Sequence, residues 1–587
     1  MTDSNTKDIN LKINGVDVTV PEGTTVLEAA RIAHIEIPTL CYLKDINEIA
    51  ACRMCVVEVK GAKSLVTACV YPVNEGMEVW TNTPKVRESR KKTLMLLLSI
   101  HNKKCLSCVR SGNCELQALC REYGIEDENY YQGERIEYGL DTTAAHMVRD
   151  NNKCILCRRC SAVCEKTQNI GVIGANERGF ATYIGSQFGK GLGETSCISC
   201  GQCIAACPVG ALYEKTCVDD VFAAIADPDK VVMVQAAPAV RAGLGEEFGY
   251  PIGTDVEGQM AAALRRLGFD YVFDTDFGAD LTIMEEANEL LHRVSTGGTL
   301  PMITSCSPGW IRYCEHYFPD MIDNLSTCKS PHQMFGAIAK TYYAEKIGVD
   351  KENIVVVSIM PCTAKKFEIT RDDQDGAGVP DVDYVMTTRE LANMIRMGGI
   401  QFASLPKERF DDPLGQGTGA AVIFGATGGV MEAALRTAVE KLTGENLPSP
   451  DFHEVRGTAG IKEATYNVNG MEINVAVASG TRNAHDLLKM VQSGEKNYTF
   501  IEIMGCPGGC VNGGGQPRQP GYIRNTVDLA KERAKALYTN DENCPIRKSH
   551  ENPAITDLYR EFLKEPGSHK AHTLLHTTYV KREIHTL

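Results

Sequence analysis

The sequence predicts a multidomain chain. A small α+β domain comes first, short cysteine-bearing domains follow, and a large α/β domain with parallel sheets fills the rest. Three observations predict it. The chain has 587 residues, room for several domains. Seventeen of its 24 cysteines lie between Cys41 and Cys217, in closely spaced sets. From about residue 225 the texture changes to short apolar runs alternating with amphipathic stretches. At 43% hydrophobic and 23% charged residues, the composition is that of a folded chain.

Each element follows from local pattern. Residues 10–20 alternate apolar and polar around Asn14-Gly15, a strong hairpin signal. Residues 24–35 read as an amphipathic helix with Thr24 or Thr25 as its N-cap. Residues 85–100 are a basic helix with an apolar end. Residues 121–150 are a polar connection, and 151–215 are short cysteine loops. Beyond them, 231–234, 271–273, 354–360 and 421–424 read as buried strands. Residues 258–267, 280–294, 331–346, 388–397 and 430–441 read as helices between them. Residues 546–587 are polar, helical and His-rich. The expected domains are 1–80, 81–140, 141–220, 221–545 and 546–587.

Charge and hydropathy exclude some classes. With 61 Lys and Arg against 75 Asp and Glu, the net charge is −14, and no basic domain marks a nucleic-acid binder. No run of 18 apolar residues is present to cross a bilayer. Met1-Thr2-Asp3-Ser4-Asn5 is polar and lacks an apolar signal core, so a cytoplasmic protein is expected. There disulfides are rare, and the thiols are read as metal ligands.

Four sets precede residue 220. The first is Cys41, Cys52, Cys55 and Cys69, after the hairpin and helix. Its spacing resembles the plant-type [2Fe–2S] ferredoxins, with a longer first gap, and that resemblance implies a β-grasp domain; zinc is the competing reading. The second is His101, Cys105, Cys108 and Cys114, which suits zinc or a [4Fe–4S] cluster, with Cys120 competing for the place of His101. The third and fourth, Cys154, Cys157, Cys160, Cys164 and Cys197, Cys200, Cys203, Cys207-Pro208, are bacterial ferredoxin runs. In such pairs the fourth cysteine ligates the other cluster. Cys207 should therefore join Cys154, Cys157 and Cys160, and Cys164 should join Cys197, Cys200 and Cys203. Cys217, Cys314, Cys328 and Cys544 fit no set and read as small buried side chains. Four clusters in a row make an electron path, which needs a terminal.

Three later segments supply it: Thr304-Ser305-Cys306-Ser307-Pro308-Gly309-Trp310, Met360-Pro361-Cys362-Thr363-Ala364-Lys365, and Met504-Gly505-Cys506-Pro507-Gly508-Gly509-Cys510 with its glycine-rich continuation. The last two match signatures of the [FeFe]-hydrogenases nearly word for word, and the first with one change. The chain resembles that family along most of its length. The resemblance implies an H-cluster, a [4Fe–4S] cubane joined to a diiron unit with CO, cyanide and an azadithiolate bridge. It is expected beside three accessory [4Fe–4S] clusters and one [2Fe–2S] cluster. It places Cys362, Cys506 and Cys510 on the cubane, with Cys510 bridging to the diiron unit. Lys365 would donate to a cyanide, and Met360, Met504 and Pro238 would line the pocket. Cys306, Glu286, Ser326 and Glu289 would relay protons between solvent and a site that splits or forms H2.

One departure leaves a choice open. The family's first loop has two adjacent cysteines, a relay and then a ligand; here the pair is Cys306-Ser307. Register puts Ser307 at the ligand place. The preference of iron–sulfur sites for thiolate favours Cys306 as ligand, with Ser307 or water passing protons, and that is the expectation.

The first 220 residues also resemble the cluster-bearing subunit of respiratory complex I. That reading makes the chain an electron-transfer subunit; residues 502–517 argue against it. A non-catalytic sensor relative is the other rival. Neither Gly415-Gln416-Gly417-Thr418-Gly419 nor Gly425-Ala426-Thr427-Gly428-Gly429 forms a dinucleotide fingerprint. A flavin- and NAD(P)-binding dehydrogenase-like subunit, a small [2Fe–2S] subunit and ferredoxin are therefore the expected partners, with electron bifurcation as a further expectation. A monomeric ferredoxin-linked hydrogenase is the alternative.

Overall fold

A computed structural model describes residues 7–446 and 449–584. The polar start, Met1 to Asn5, lies outside them. Strands Asp8–Ile13 and Val16–Pro21 pair antiparallel with Ile13 opposite Val16. Asn14 and Gly15 thus form a two-residue turn, with φ of 51° and 85°, the backbone a tight hairpin demands. Ile9, Leu11, Ile13, Val18 and Val20 face the core. The hairpin belongs to a five-stranded sheet with Glu78–Trp80, Val56–Val59 and Val66–Thr67; Asp8–Ile13 runs parallel to Glu78–Trp80. The helix after it is Val26–Ile32, capped by Thr25. It is shorter than expected because His34 turns left-handed and the Ile35 N–H closes back on the Ala30 carbonyl.

Helix Pro84–Ile100 starts with Thr83 as cap and ends at His101. Its buried Arg90 donates to the Val56 carbonyl at 2.8 Å, tying it to the first sheet. The cysteine loops that follow are braced by two short ribbons, Met147–Arg149 with Leu212–Glu214 and Gly174–Asn176 with Tyr183–Gly185.

The large domain has two four-stranded sheets. In the first, Tyr271–Asp274, Val231–Ala236, Ile354–Met360 and Tyr384–Thr387 lie side by side, all parallel. Their side chains are buried on both faces, which is why they read as continuous apolar runs. In the second, Met302–Ile303, Phe500–Met504 and Met471–Ser479 are parallel, and Ile461–Val468 closes the edge as a hairpin. Helices Glu257–Leu267, Asp276–Thr296, Thr388–Met397 and Gly429–Thr443 appear where their periodicity put them. Residues 331–346 are helical with a π-bulge at Ala339–Tyr343.

Residues 421–424 correct the reading: they are not a strand. Gly419–Val422 is a helical turn, continued by the tighter turn Ile423–Gly425. A short, wholly apolar run fits a buried strand or a buried helix equally well. Here it packs against helices Asp276–Thr296 and Leu529–Asn543.

The C-terminal segment forms helices Pro553–Leu558 and His569–Leu575, then runs extended over the large domain. Tyr579 donates its hydroxyl to the Ser326 carbonyl at 2.6 Å. Beneath it, Lys329 and Asp381 pair at 2.7 Å with both side chains fully buried. Removing one partner strands the other charge. Lys329→Met is expected to cost about 3–5 kcal/mol, read as a lowered denaturation midpoint; an unchanged midpoint would show that the pair contributes nothing.

Candidate active site and metal centres

Three strands of the first sheet, Val231–Ala236, Tyr271–Asp274 and Ile354–Met360, and two of the second, Met302–Ile303 and Phe500–Met504, deliver their carboxyl ends to one cavity. Pro238, Thr275, Cys306, Ser307, Met360, Cys362, Lys365, Met504 and Cys510 line it. Loops at the carboxyl ends of parallel strands are where such folds bind ligands.

The thiols around this cavity fall into two groupings. Cys506 feels the charge of Cys362, Cys200 and Cys510, and Cys510 feels that of Cys362, so these three thiols face one another. Burial pushes all of them up, Cys510 to about 12. As free thiols they are inert; a metal charge is what would make them thiolates. Cys306 is also raised by burial, but its first electrostatic neighbour is Glu286, followed by Cys510 and Lys365. Ser307 sits elsewhere: its Oγ accepts the Gly505 N–H at 3.1 Å, beside Cys506. The loop therefore turns Cys306 toward Glu286 and Ser307 toward the Cys506 loop.

Lys365 is held from two sides. Its Nζ donates to Glu368 Oε2 at 2.9 Å and to the Cys306 carbonyl at 3.3 Å. His332 Nε2 stands 2.5 Å from the same Glu368 oxygen, and its Nδ1 3.2 Å from Ser358 Oγ. Burial would raise Glu368, but the Lys365 charge and His332 hold it down at about 2. His332 lines the cavity, and burial lowers it to about 4, so its ring stays neutral.

Glu286 and Glu289 lie one helical turn apart on Asp276–Thr296. Both oxygens of Glu286 are buried without a hydrogen-bond partner. Burial, then the charge of Glu289, pushes it up to about 8. The Ser326 hydroxyl is given instead to Glu289 Oε2 at 3.0 Å, and Glu289 is clamped by Arg293 at 2.6 Å. Cys306, Glu286, Ser326 and Glu289 are thus brought together beside the cavity.

In the N-terminal domain Cys55 Sγ stands 3.3 Å from Cys69 Sγ, and Cys41 pairs with Cys52. Two thiol pairs suit a two-iron rhomb, one pair for each iron. Cys207 acts on Cys154, Cys157 and Cys160, while Cys164 acts on Cys200 and Cys203, which is the crossed arrangement. His101 is buried, its Nδ1 has no partner, and burial lowers it to about 4. Cys108 acts on Cys105 and Cys114; Cys120 stands near the same two thiols, so it stays close to this set. Among the described residues, the groups with three ligand atoms within 4.8 Å of one another are Glu289–Cys328–His576, Glu440–His550–Glu551 and Glu432–Asp451–Asp541. The cysteine quartets are more widely spread, which suits multi-iron clusters better than one tetrahedral zinc. Cys314 and Cys328 are buried as expected; Cys217 and Cys544 are half-buried.

Comparison with known proteins decides the family. The chain is 52% identical over 586 residues to the NADP-reducing hydrogenase subunit HndD of Solidesulfovibrio fructosivorans, covering 98% of this chain and 99% of that one. The chain belongs to the [FeFe]-hydrogenases. This hydrogenase is also 45% identical to iron hydrogenase 1 of Clostridium pasteurianum, over 97% of this chain and 99% of that one. Residues 230–514 match the iron only hydrogenase large subunit, C-terminal domain, and 527–582 match the iron hydrogenase small subunit. Residues 6–84 match a 2Fe-2S iron-sulfur cluster binding domain. Residues 90–129 match the NADH-ubiquinone oxidoreductase-G iron-sulfur binding region, and 153–211 a 4Fe-4S dicluster domain. A single-substitution variant of apo [FeFe]-hydrogenase HydA1 from Chlamydomonas reinhardtii superposes with a TM-score of 0.55 at 46% identity, covering 62% of this chain and 98% of that one. The hydrogenase thus carries an H-cluster domain behind [2Fe–2S] and [4Fe–4S] domains. Among its described residues no helix is long and apolar enough to cross a membrane.

Sequence reasoning missed His332 and Glu368 as site residues. Glu368 stands three residues after Lys365 on the short helix Lys365–Glu368, a spacing that could have signalled the pair, whereas only the fold brings His332 to them. The crossed ligation gives a sharp test in this hydrogenase. Cys207→Ala should remove the paramagnetic signal of the cluster on Cys154, Cys157 and Cys160, and spare that of its sequence neighbours Cys197, Cys200 and Cys203. Loss of the second signal alone would refute the crossing.

Proposed function

We propose that this chain is the catalytic subunit of a multimeric, NAD(P)-linked hydrogenase that interconverts H2 with protons and electrons. The observation that carries the site is the cavity lined by Cys306, Cys362 and Cys510, with Cys506 behind it near Cys362, Cys510 and Cys200, and Glu286 next to Cys306. When bound there, the H-cluster supplies heterolytic cleavage and formation of H2. The protein's part is to separate what results. Cys362, Cys506 and Cys510 would hold the cubane, and the buried Met360 and Met504 with Pro238 would wall the diiron side from water. Lys365, fixed by Glu368 and His332, offers its ammonium to an anionic ligand. Electrons would leave toward the set of Cys197, Cys200, Cys203 and Cys164, and then through the set crossed with it.

The geometry supports Ser307 at the fourth cubane place and Cys306 as the proton-passing thiol, the reverse of the preference drawn from ligand chemistry. Cys306→Ala should then keep the cubane's spectroscopic signal and lose turnover. Loss of the cubane itself would make Cys306 its ligand.

The domain divisions at 80, 140, 220 and 545, the β-grasp reading of the first domain and a cytoplasmic location complete the proposal. Support for the partners comes from the domains and the relative. The complex I-like region holds His101, and the relative named above is a subunit of an NADP-reducing enzyme. A flavin- and NAD(P)-binding subunit, a small [2Fe–2S] subunit and ferredoxin, with bifurcation between them, follow as expectations. Purification from native extract with flavin and further subunits attached would bear them out; a single flavin-free polypeptide would not.

Activity is tested by H2-dependent dye reduction after maturation with the diiron cofactor. Glu286 gives the pH dependence. Its shift is upward, so the neutral acid is the form the fold favours, present below about pH 8 and lost above it. H2 evolution should decline as pH rises through about 8. Glu286→Gln should cost about 10²–10⁴ in rate and abolish that limb. A limb unchanged in the variant would assign it to another group.

A further inference from the structure

The relay reading ends at Glu289, which is still inside the protein. Its side chain is 14% exposed, and its carboxylate is enclosed by Arg293, Ser326 and Thr327. Arg293 cannot take the proton onward. A guanidinium has donors only and stays charged. Its remaining N–H groups are spent on the carbonyls of Asp323 and Leu325. Arg293 is a clamp.

The other side of Glu289 leads to the C-terminal segment. Thr327 Oγ1 stands 3.3 Å from Glu289 Oε2 and 2.7 Å from His576 Nδ1. His576 Nε2 faces Glu285 Oε2 at 3.3 Å. Glu285 is itself fixed by the Tyr559 hydroxyl at 2.5 Å and the Gly567 N–H at 2.8 Å. A carboxylate at Nε2 keeps the hydrogen on that nitrogen, so Nδ1 presents a lone pair to Thr327. Beyond His576, the exposed His572 ring lies 4.2 Å away between centroids. The segment is pinned in place. Thr577 N–H donates to the Thr327 carbonyl at 2.8 Å, and Cys328 bridges His576 as an isolated pair of β residues.

We propose that His576 is the gateway between Glu289 and solvent, with the Thr327 hydroxyl as the bridge. The proposal rests on the relay reading of Glu286 and Glu289. In the outward direction a proton passes from Glu289 to Thr327 Oγ1 as the Thr327 hydrogen moves to His576 Nδ1. The imidazolium then sheds one proton to water, beside His572. One proton enters and one leaves, and no electron moves. Glu285 acts only by orienting the ring.

The test uses the matured enzyme with all clusters. His576→Ala should lower turnover about 10²-fold, leave the KM for H2 and the infrared CO and cyanide bands unchanged, and recover when imidazole is added. Thr327→Val should lose as much and not recover with imidazole. His576→Ala at the parent rate, or a loss that imidazole does not relieve, overturns the proposal. So does Thr327→Val at the parent rate, which also covers the case where His576→Ala fails to fold. If Glu286→Gln is as fast as the parent, the relay reading itself has failed. If Glu286→Gln is slow and His576→Ala is not, only the gateway is wrong.

Discussion

At Gly514 the catalytic loop lies against the carbonyl of Cys200, so close that a Cβ there would stand 2.2 Å from the oxygen. Only glycine permits that approach. The contact is reinforced on both sides. Thr363 donates to the Ser199 carbonyl at 2.7 Å, and Gln202 donates to the Asn512 carbonyl at 2.9 Å. Arg389, buried, binds the Gly514 carbonyl at 2.8 Å and Glu214 of the cysteine-loop ribbon at 3.0 Å. The loop that carries Cys200 and the loop that carries Cys506 and Cys510 are thereby one rigid junction. The nearness of the Cys200 loop to the catalytic loop is a property of backbone packing, and the electron path proposed above depends on it.

The same packing sets the thiols and the carboxyls around the cavity apart from one another. On the Cys200 side the cavity meets thiols whose burial leaves them uncharged unless metal is present. On the opposite side it meets carboxyls. Glu286 has no partner and is neutral near pH 7, while Glu289 is clamped by Arg293. Between them Lys365 is fixed by a carboxylate that would itself be costly to bury without His332 and Lys365 beside it. Glu289, Lys365 and Glu368 are each matched by a neighbour of opposite charge, and Glu286, the unmatched carboxyl, is the one the proposed relay uses.

Much of this was legible in the sequence, for physical reasons. Short loops of closely spaced cysteines have few other uses in a chain without disulfides, and the run itself leads one to expect Cys207 near Cys154, Cys157 and Cys160 and Cys164 near Cys200 and Cys203, the neighbours they have. The apolar runs at 231–234, 271–273 and 354–360 could be read as parallel strands because both faces are buried. The run at 421–424 looked the same and is helical, since apolarity alone does not set the period. His332, Thr327 and His576 were invisible. Thr327 and His332 share one stretch, His576 lies 249 residues beyond Thr327, and their neighbours are set by tertiary contact. Cys306-Ser307 sat between: the pair was conspicuous, but ligand chemistry and register pointed in opposite directions. Ser307 is tied to Gly505 and Cys306 faces Glu286, and the proposed assignment by register rests on those two contacts.

The central claim is that one buried cavity makes electrons that leave through Cys200 and its neighbours. Rapid freeze-quench paramagnetic resonance of the matured enzyme mixed with H2 tests it most directly. The account predicts that the ferredoxin-type cluster on Cys197, Cys200, Cys203 and Cys164 is reduced first, before the clusters farther along the path, and that Gly514→Ala slows this step without altering the infrared bands of the H-cluster. Reduction of the N-terminal [2Fe–2S] site first, or a Gly514→Ala enzyme with unchanged kinetics, would contradict it.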